Sequence, residues 1–161
     1  MTTWTDSYGF NKGSAAFNDK GAVPRVVRVK LDFAAIAAAR TAAGATALAS
    51  SDVLEVIKLA ANTYVHCVGI EVTTAEGATA TVGIGDGSAA TGYYTAASLN
   101  AVASLSSTPA LTEGTPNTFT NVYAFGKFYS AADTIDLTLN HNSIDTAVCY
   151  LWALVTHVGY N

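Results

Sequence analysis

The stretch Val68-Gly-Ile-Glu-Val-Thr-Thr-Ala-Glu-Gly-Ala-Thr-Ala-Thr-Val-Gly-Ile-Gly-Asp-Gly87 sets the fold class. Val68, Ile70 and Val72 alternate with Gly69, Glu71 and Thr73. Ala78, Ala80, Val82 and Ile84 then alternate with Thr79, Thr81 and Gly83. A period of two sends successive side chains to opposite faces of an extended chain, so both runs read as strands with one apolar face. Glu76-Gly77 lies between them, which predicts a β-hairpin turning there. The stretch holds almost no group that could carry out chemistry, and it reads as architecture.

Toward the N-terminus, Val27, Val29, Leu31 and Phe33 alternate with Arg28, Lys30 and Asp32, the pattern of a half-buried strand. Asp32 is a good helix N-cap, the Ala-rich run to Arg40 favours helix, and Gly44 supplies a stop, so one short helix is expected. Val53 to Leu59 reads as a strand whose alternation slips at Val56-Ile57, the mark of a bulge or of burial on both faces. Toward the C-terminus, strands are expected over Tyr64 to Thr73, Thr120 to Tyr129, Thr134 to Leu139 and Ala147 to Val158. A short edge strand fits around Ser98 to Leu105, in a section that Pro109 and Pro116 otherwise mark as loop. In the last strand Val148, Tyr150, Trp152 and Leu154 oppose Cys149, Leu151, Ala153 and Val155, so both faces are apolar. That suits a central strand covered on both sides or one lying at a subunit contact, which makes Tyr150, Trp152 and Leu154 candidates for that contact. The expected fold is all-β: an antiparallel β-sandwich of jelly-roll type over residues 22–161 with at most one short helix. Residues 1–21 show no period yet carry Trp4, Tyr8, Phe10 and Phe17, and read as an extended arm that packs on a surface, a neighbouring molecule before the chain's own core.

Charged residues make up only 12% of the chain, about half of the usual share, which predicts association with other molecules. The charges are also uneven. Residues 1–40 hold six basic and three acidic side chains, 6 − 3 = +3, and the rest hold two basic and nine acidic, 2 − 9 = −7. A basic start on an acidic body suits docking on something negative, with Arg25, Arg28 and Lys30 as candidates beside the arm aromatics. Three basic side chains make too short a phosphate track for nucleic acid to be the expected partner. No secretory start and no membrane-spanning run is read, and Cys67 and Cys149, both within strands, are read as buried free thiols before a disulfide between neighbours across a sheet.

No active site is legible. His66, His141 and His157 lack any ligand at metal-binding spacing, and Cys67 points to the opposite face from His66. Asp86-Gly-Ser lacks the alternating carboxylates of a calcium loop and reads as a turn. Gly83, Gly85 and Gly87 precede no helix, and no nucleophile elbow surrounds Ser88 or Ser98. The reading is of a protein that is not an enzyme and needs no cofactor or metal.

Asp52-Val-Leu-Glu-Val-Ile-Lys-Leu-Ala-Ala-Asn-Thr-Tyr-Val65, the opening stretch, Gly92-Tyr93, Ser98-Leu-Asn-Ala101 and Tyr129-Ser-Ala-Ala-Asp-Thr-Ile-Asp-Leu-Thr-Leu139 together give the chain a recognisable style. Over roughly residues 23–159 it resembles small β-sandwich structural proteins of tailed bacteriophages, nearest to capsid decoration or cement proteins of cyanophage type. The resemblance implies a virion protein made in the host cytoplasm and placed on the capsid surface. Its partner would be the major capsid protein, and it would form a homo-oligomer, a trimer before a dimer, without nucleic acid or membrane. Two alternatives carry different expectations. A tail, fibre or knob component would contact the host through Ala96 to Thr118, and a carbohydrate-binding jelly roll would use Tyr93, Tyr94, Tyr123 and Tyr129 as stacking faces.

Overall fold

The computed structural model describes residues 3–4, 23–77, 79–106, 122–123, 125–142 and 144–158. Its elements are β1 (Thr3–Trp4), β2 (Arg25–Asp32), α1 (Phe33–Ala42), β3 (Val53–Leu59), β4 (Thr63–Thr74), β5 (Thr81–Gly85), β6 (Tyr94–Ser98), β7 (Ala103–Ser106), β8 (Lys127–Tyr129), β9 (Asp133–Leu139) and β10 (Val148–His157). They form two sheets. Sheet A runs β1-β3-β9-β5-β6 and sheet B runs β2-β10-β4-β7, with β8 also paired to β4. Among the described residues all pairings are antiparallel except that of β1 with β3. The chain is an all-β sandwich with one short helix.

The inward rows meet in one core. Val65, Val68, Ile70 and Val72 of β4 and Cys149, Leu151, Ala153 and Val155 of β10 face Ile135, Leu137 and Leu139 of β9 and Val82 and Ile84 of β5. Burial of these side chains is the main driving force for the sandwich. The helix forms as read: Asp32 Oδ1 accepts from the Ala35 N–H at 3.2 Å, and Gly44 takes φ +69° just past the end. The Val56-Ile57 slip is a register shift in the pairing of β3 with β9.

The predicted hairpin is a correction. Both arms are strands, but β4 lies in sheet B and β5 in sheet A, so the chain crosses between the sheets where a turn was expected. Period two tells which side chains share a face and leaves the hydrogen-bonding partner open. The crossing is anchored by Glu76, only 7% exposed, whose carboxylate accepts from the backbone N–H groups of Asp145, Thr146 and Ala147 and from Thr146 Oγ1 at 2.7–3.2 Å. Burial pushes this carboxyl up, and those donors outweigh it and hold it below its usual range. Two further expectations shift. The single edge strand is two, β6 and β7, placed in different sheets. Of the strand expected from Thr120, the described residues are extended only over Lys127–Tyr129, because Val122, Tyr123 and Phe125 lie in turns.

Candidate functional site

β10 is the spine of sheet B, flanked by β2 and β4. Register then decides which outward side chains are neighbours. Tyr150 lies between Lys30 and Glu71, Trp152 between Arg28 and Gly69, and Leu154 between Val26 and Cys67. Arg28 and Lys30 therefore share one face with Tyr150, Trp152 and Leu154, whereas Arg25 pairs with the buried Val155 and lies on the inward row of β2. Of the sequence-read candidates, Arg25, Arg28, Lys30, Tyr150, Trp152 and Leu154 lie on β2 and β10, and Trp4 lies in β1 on the other sheet. Tyr8, Phe10 and Phe17, and the arm boundary at residue 21, lie outside the described residues.

The face is ordered by charge laid over aromatic surface. Arg28 stacks on Tyr150, its Cζ 3.7 Å from the ring centroid, and reaches across that ring to an ion pair with Glu71. Lys30 Nζ is 3.2 Å from Asp32 Oδ2, and Asp32 is held below the usual carboxylate range by the Ala35 N–H and by Lys30. Both pairs are largely exposed, so each contributes little to stability. Tyr150, Trp152 and Leu154 are half-buried, and Val26 beside Leu154 is 63% exposed. Val26, Gly69 and Glu71 complete the face without having been singled out from sequence. The alternation of β2 could have named Val26, whereas Gly69 and Glu71 join only through the pairing of β4 with β10.

The buried polar network elsewhere in the sandwich serves architecture. Asp86, 2% exposed, accepts from Ser88 N, Ala89 N and Tyr123 OH on Oδ1, and from Lys127 Nζ at 2.5 Å and Tyr129 OH at 2.7 Å on Oδ2. Burial pushes this carboxyl up, and Lys127, Tyr129 and the two backbone donors outweigh it and keep it low. Tyr93 OH lies 3.1 Å from Tyr129 OH in the same network. Both rings are almost fully buried, so they offer no stacking face to a sugar. The network joins the loop after β5 in sheet A to β8 on sheet B, and no lone pair of the carboxylate is left facing a substrate. His66 Nε2 lies 2.8 Å from Thr156 Oγ1. Cys67 and Cys149 are free, and burial pushes the Cys149 thiol up to about 12. Among the described residues no three His, Cys, Asp or Glu side chains converge to hold a metal ion, and no helix is long and apolar enough to cross a membrane.

No family model matches the chain, and no curated protein matches it. Solved structures do match. A chain of the "Capsid of Ralstonia phage GP4" superposes with a TM-score of 0.63 at 10% identity, covering 99% of this chain and 100% of that one. A chain of the "Cyanophage Pam1 capsid asymmetric unit" gives 0.54 at 16% identity, covering 91% and 92%. The fold is shared with chains of two phage capsids. Both comparisons span nearly the full length of each partner, so the likeness is one of overall fold.

Proposed function

We propose that the chain is a structural protein of a phage virion, a decoration or cement protein that binds the outside of the head across major capsid protein subunits. The observation that carries this reading is the full-length likeness to a capsid chain, at a TM-score of 0.63. The jelly-roll form belongs to the same reading: β2-β10-β4-β7 and β3-β9-β5-β6 draw their strands alternately from early and late in the chain, which supports two interlocked Greek keys. Cementing needs no reaction. A fitted interface that bridges two shell subunits binds only the assembled shell, and so shifts the equilibrium toward it.

The outer face of sheet B is the surface we assign to the shell, with Arg28 and Lys30 at its basic border, Arg25 at the end of the same strand, and Tyr150, Trp152 and Leu154 at its centre. Aromatic and Arg side chains of this kind are where interface energy concentrates. Of the arm side chains, Tyr8, Phe10 and Phe17 extend the contact, Trp4 being held in β1 at the edge of sheet A, and copies associate as a trimer before a dimer. The test is co-sedimentation of the purified chain with heads that lack it, with labelled imaging of virions. Binding to heads is expected, and Trp152→Ala with Val26→Glu should weaken it at least about tenfold. Label on the tail, or no binding to heads, sinks the reading. Undiminished binding by a chain lacking residues 1–20 removes the arm from it.

A further inference from the structure

We propose that the edge of β2, open among the described residues, is a strand-addition site for an acidic, extended segment of the partner protein. That the partner is the shell protein rests on the function proposed above. The sheets end in four edges that are unlike one another. Among the described residues β1 has two residues, β7 and β8, which share one edge of sheet B, four and three, and β6 five, with a register shift in its pairing to β5. By contrast β2 runs eight residues in unbroken register with β10, from Arg25 opposite Val155 to Asp32 opposite Val148. Among the described residues β10 is its one strand partner. Short or kinked edges resist pairing, and a long unbroken one is a template for another strand.

Charge decides what that strand can be. The outward row of β2 carries Arg28 and Lys30 against Asp32, 2 − 1 = +1, in a chain of net charge −4, with Arg25 on the inward row opposite Val155. Residues directly opposite in an antiparallel pair share a face and lie close together. A second copy of β2, paired about a two-fold axis centred on Arg28, Val29 or Lys30, would set Arg28 or Lys30 against its own counterpart or the other. Such a pair repels. A segment with carboxylates at alternate positions meets the same row as attraction, while its backbone completes a ladder on the open edge. The present partners do not stand in the way: the Arg28–Glu71 and Lys30–Asp32 pairs are exposed, and exchanging either for an incoming carboxylate costs little.

The probe is a synthetic peptide, acetyl-Thr-Glu-Val-Glu-Val-Glu-Thr-amide, with the peptide carrying Lys for each Glu as control. It is titrated against the full chain up to about 1 mM, in about 50 mM and about 500 mM salt, with hydrogen exchange of the backbone amides as second readout. The acidic peptide should bind, weaken at least about tenfold in the higher salt and on Arg28→Glu with Lys30→Glu, and slow exchange in β2. The Lys peptide should not bind. Absence of binding by the acidic peptide, or binding that leaves exchange in β2 unchanged, overturns the edge site whatever the chain does on heads. Peptide binding with these signatures upholds the edge, and failure on heads then counts against the proposed function alone.

Discussion

The two sheets treat their outer faces in opposite ways. Sheet A covers its own along β5: the loop after β5 folds back so that Ala89, Ala90 and Thr91 lie over Gly83 and Gly85, and at Gly85 any side chain would collide with the backbone of Ala89 and Ala90. Beneath that cover Asp136 is 6% exposed, beside Gly85 and opposite Glu55. Among the described residues sheet B leaves its outer face open along β2 and β10, with half-buried aromatics under an Arg–Glu pair. A face sealed by its own chain is finished by folding, whereas an open amphipathic face gains by contact with another molecule. On the function proposed above, the contrast assigns stability to the outside of A along β5 and recognition to the outside of B.

Substitutions put that contrast at risk, beginning with the most damaging. Gly85→Val should cost about 3 kcal/mol or prevent folding, because its Cβ runs into the backbone of Ala89 and Ala90, which has no flexible end to yield. Denaturant unfolding checks it, and a variant as stable as the parent would mean the loop does not seal sheet A. In β10, Leu151→Ala should cost about 3 kcal/mol and Leu154→Ala about 1, since Leu151 is fully buried and Leu154 half-buried. Equal losses by the same measurement would place both faces in the core.

Asp136 gives a pH handle on sheet A. Burial pushes its carboxyl up to about 6, aided by Glu55, Asp133 and Asp86 and partly opposed by a hydrogen bond with Thr134. Its Oδ1 has no hydrogen-bond partner among the described residues. With the folded value above the unfolded one, the folded state binds the extra proton between about pH 4 and pH 6, so this group's contribution to stability falls as pH rises through that window. Asp136→Asn should therefore stabilise the chain by about 2 kcal/mol at pH 8 and change little near pH 4, as read from thermal melts across pH. A parallel shift at both pH values would exclude the carboxyl as the cause. The smallest effect belongs to sheet B: Arg28→Ala should cost less than about 1 kcal/mol in the isolated chain, because its ion pair is exposed. A larger loss would make the Arg28–Tyr150–Glu71 group part of the fold.

Much of the fold is legible one strand at a time. The alternation of β2, β9 and β10, the cap at Asp32 and the slip at Val56-Ile57 are local patterns, and local patterns survive in the structure. The hairpin expectation fails because its two arms obey the same rule whether they pair or face each other across a core. The candidate site is legible as two residue sets and not as one face, since the contact of Arg28 with Tyr150 joins strands more than a hundred positions apart.

Residue type and near-neighbour order were enough to set the alternation, the apolar rows and the uneven charge, because each depends on positions one or two apart in the chain. Which strands pair, that Glu76 and Asp86 tie distant connections together, and that a basic edge borders an aromatic spine were settled only when the chain folded. Those outcomes depend on register between segments far apart in sequence, and register follows from which apolar faces must be buried together.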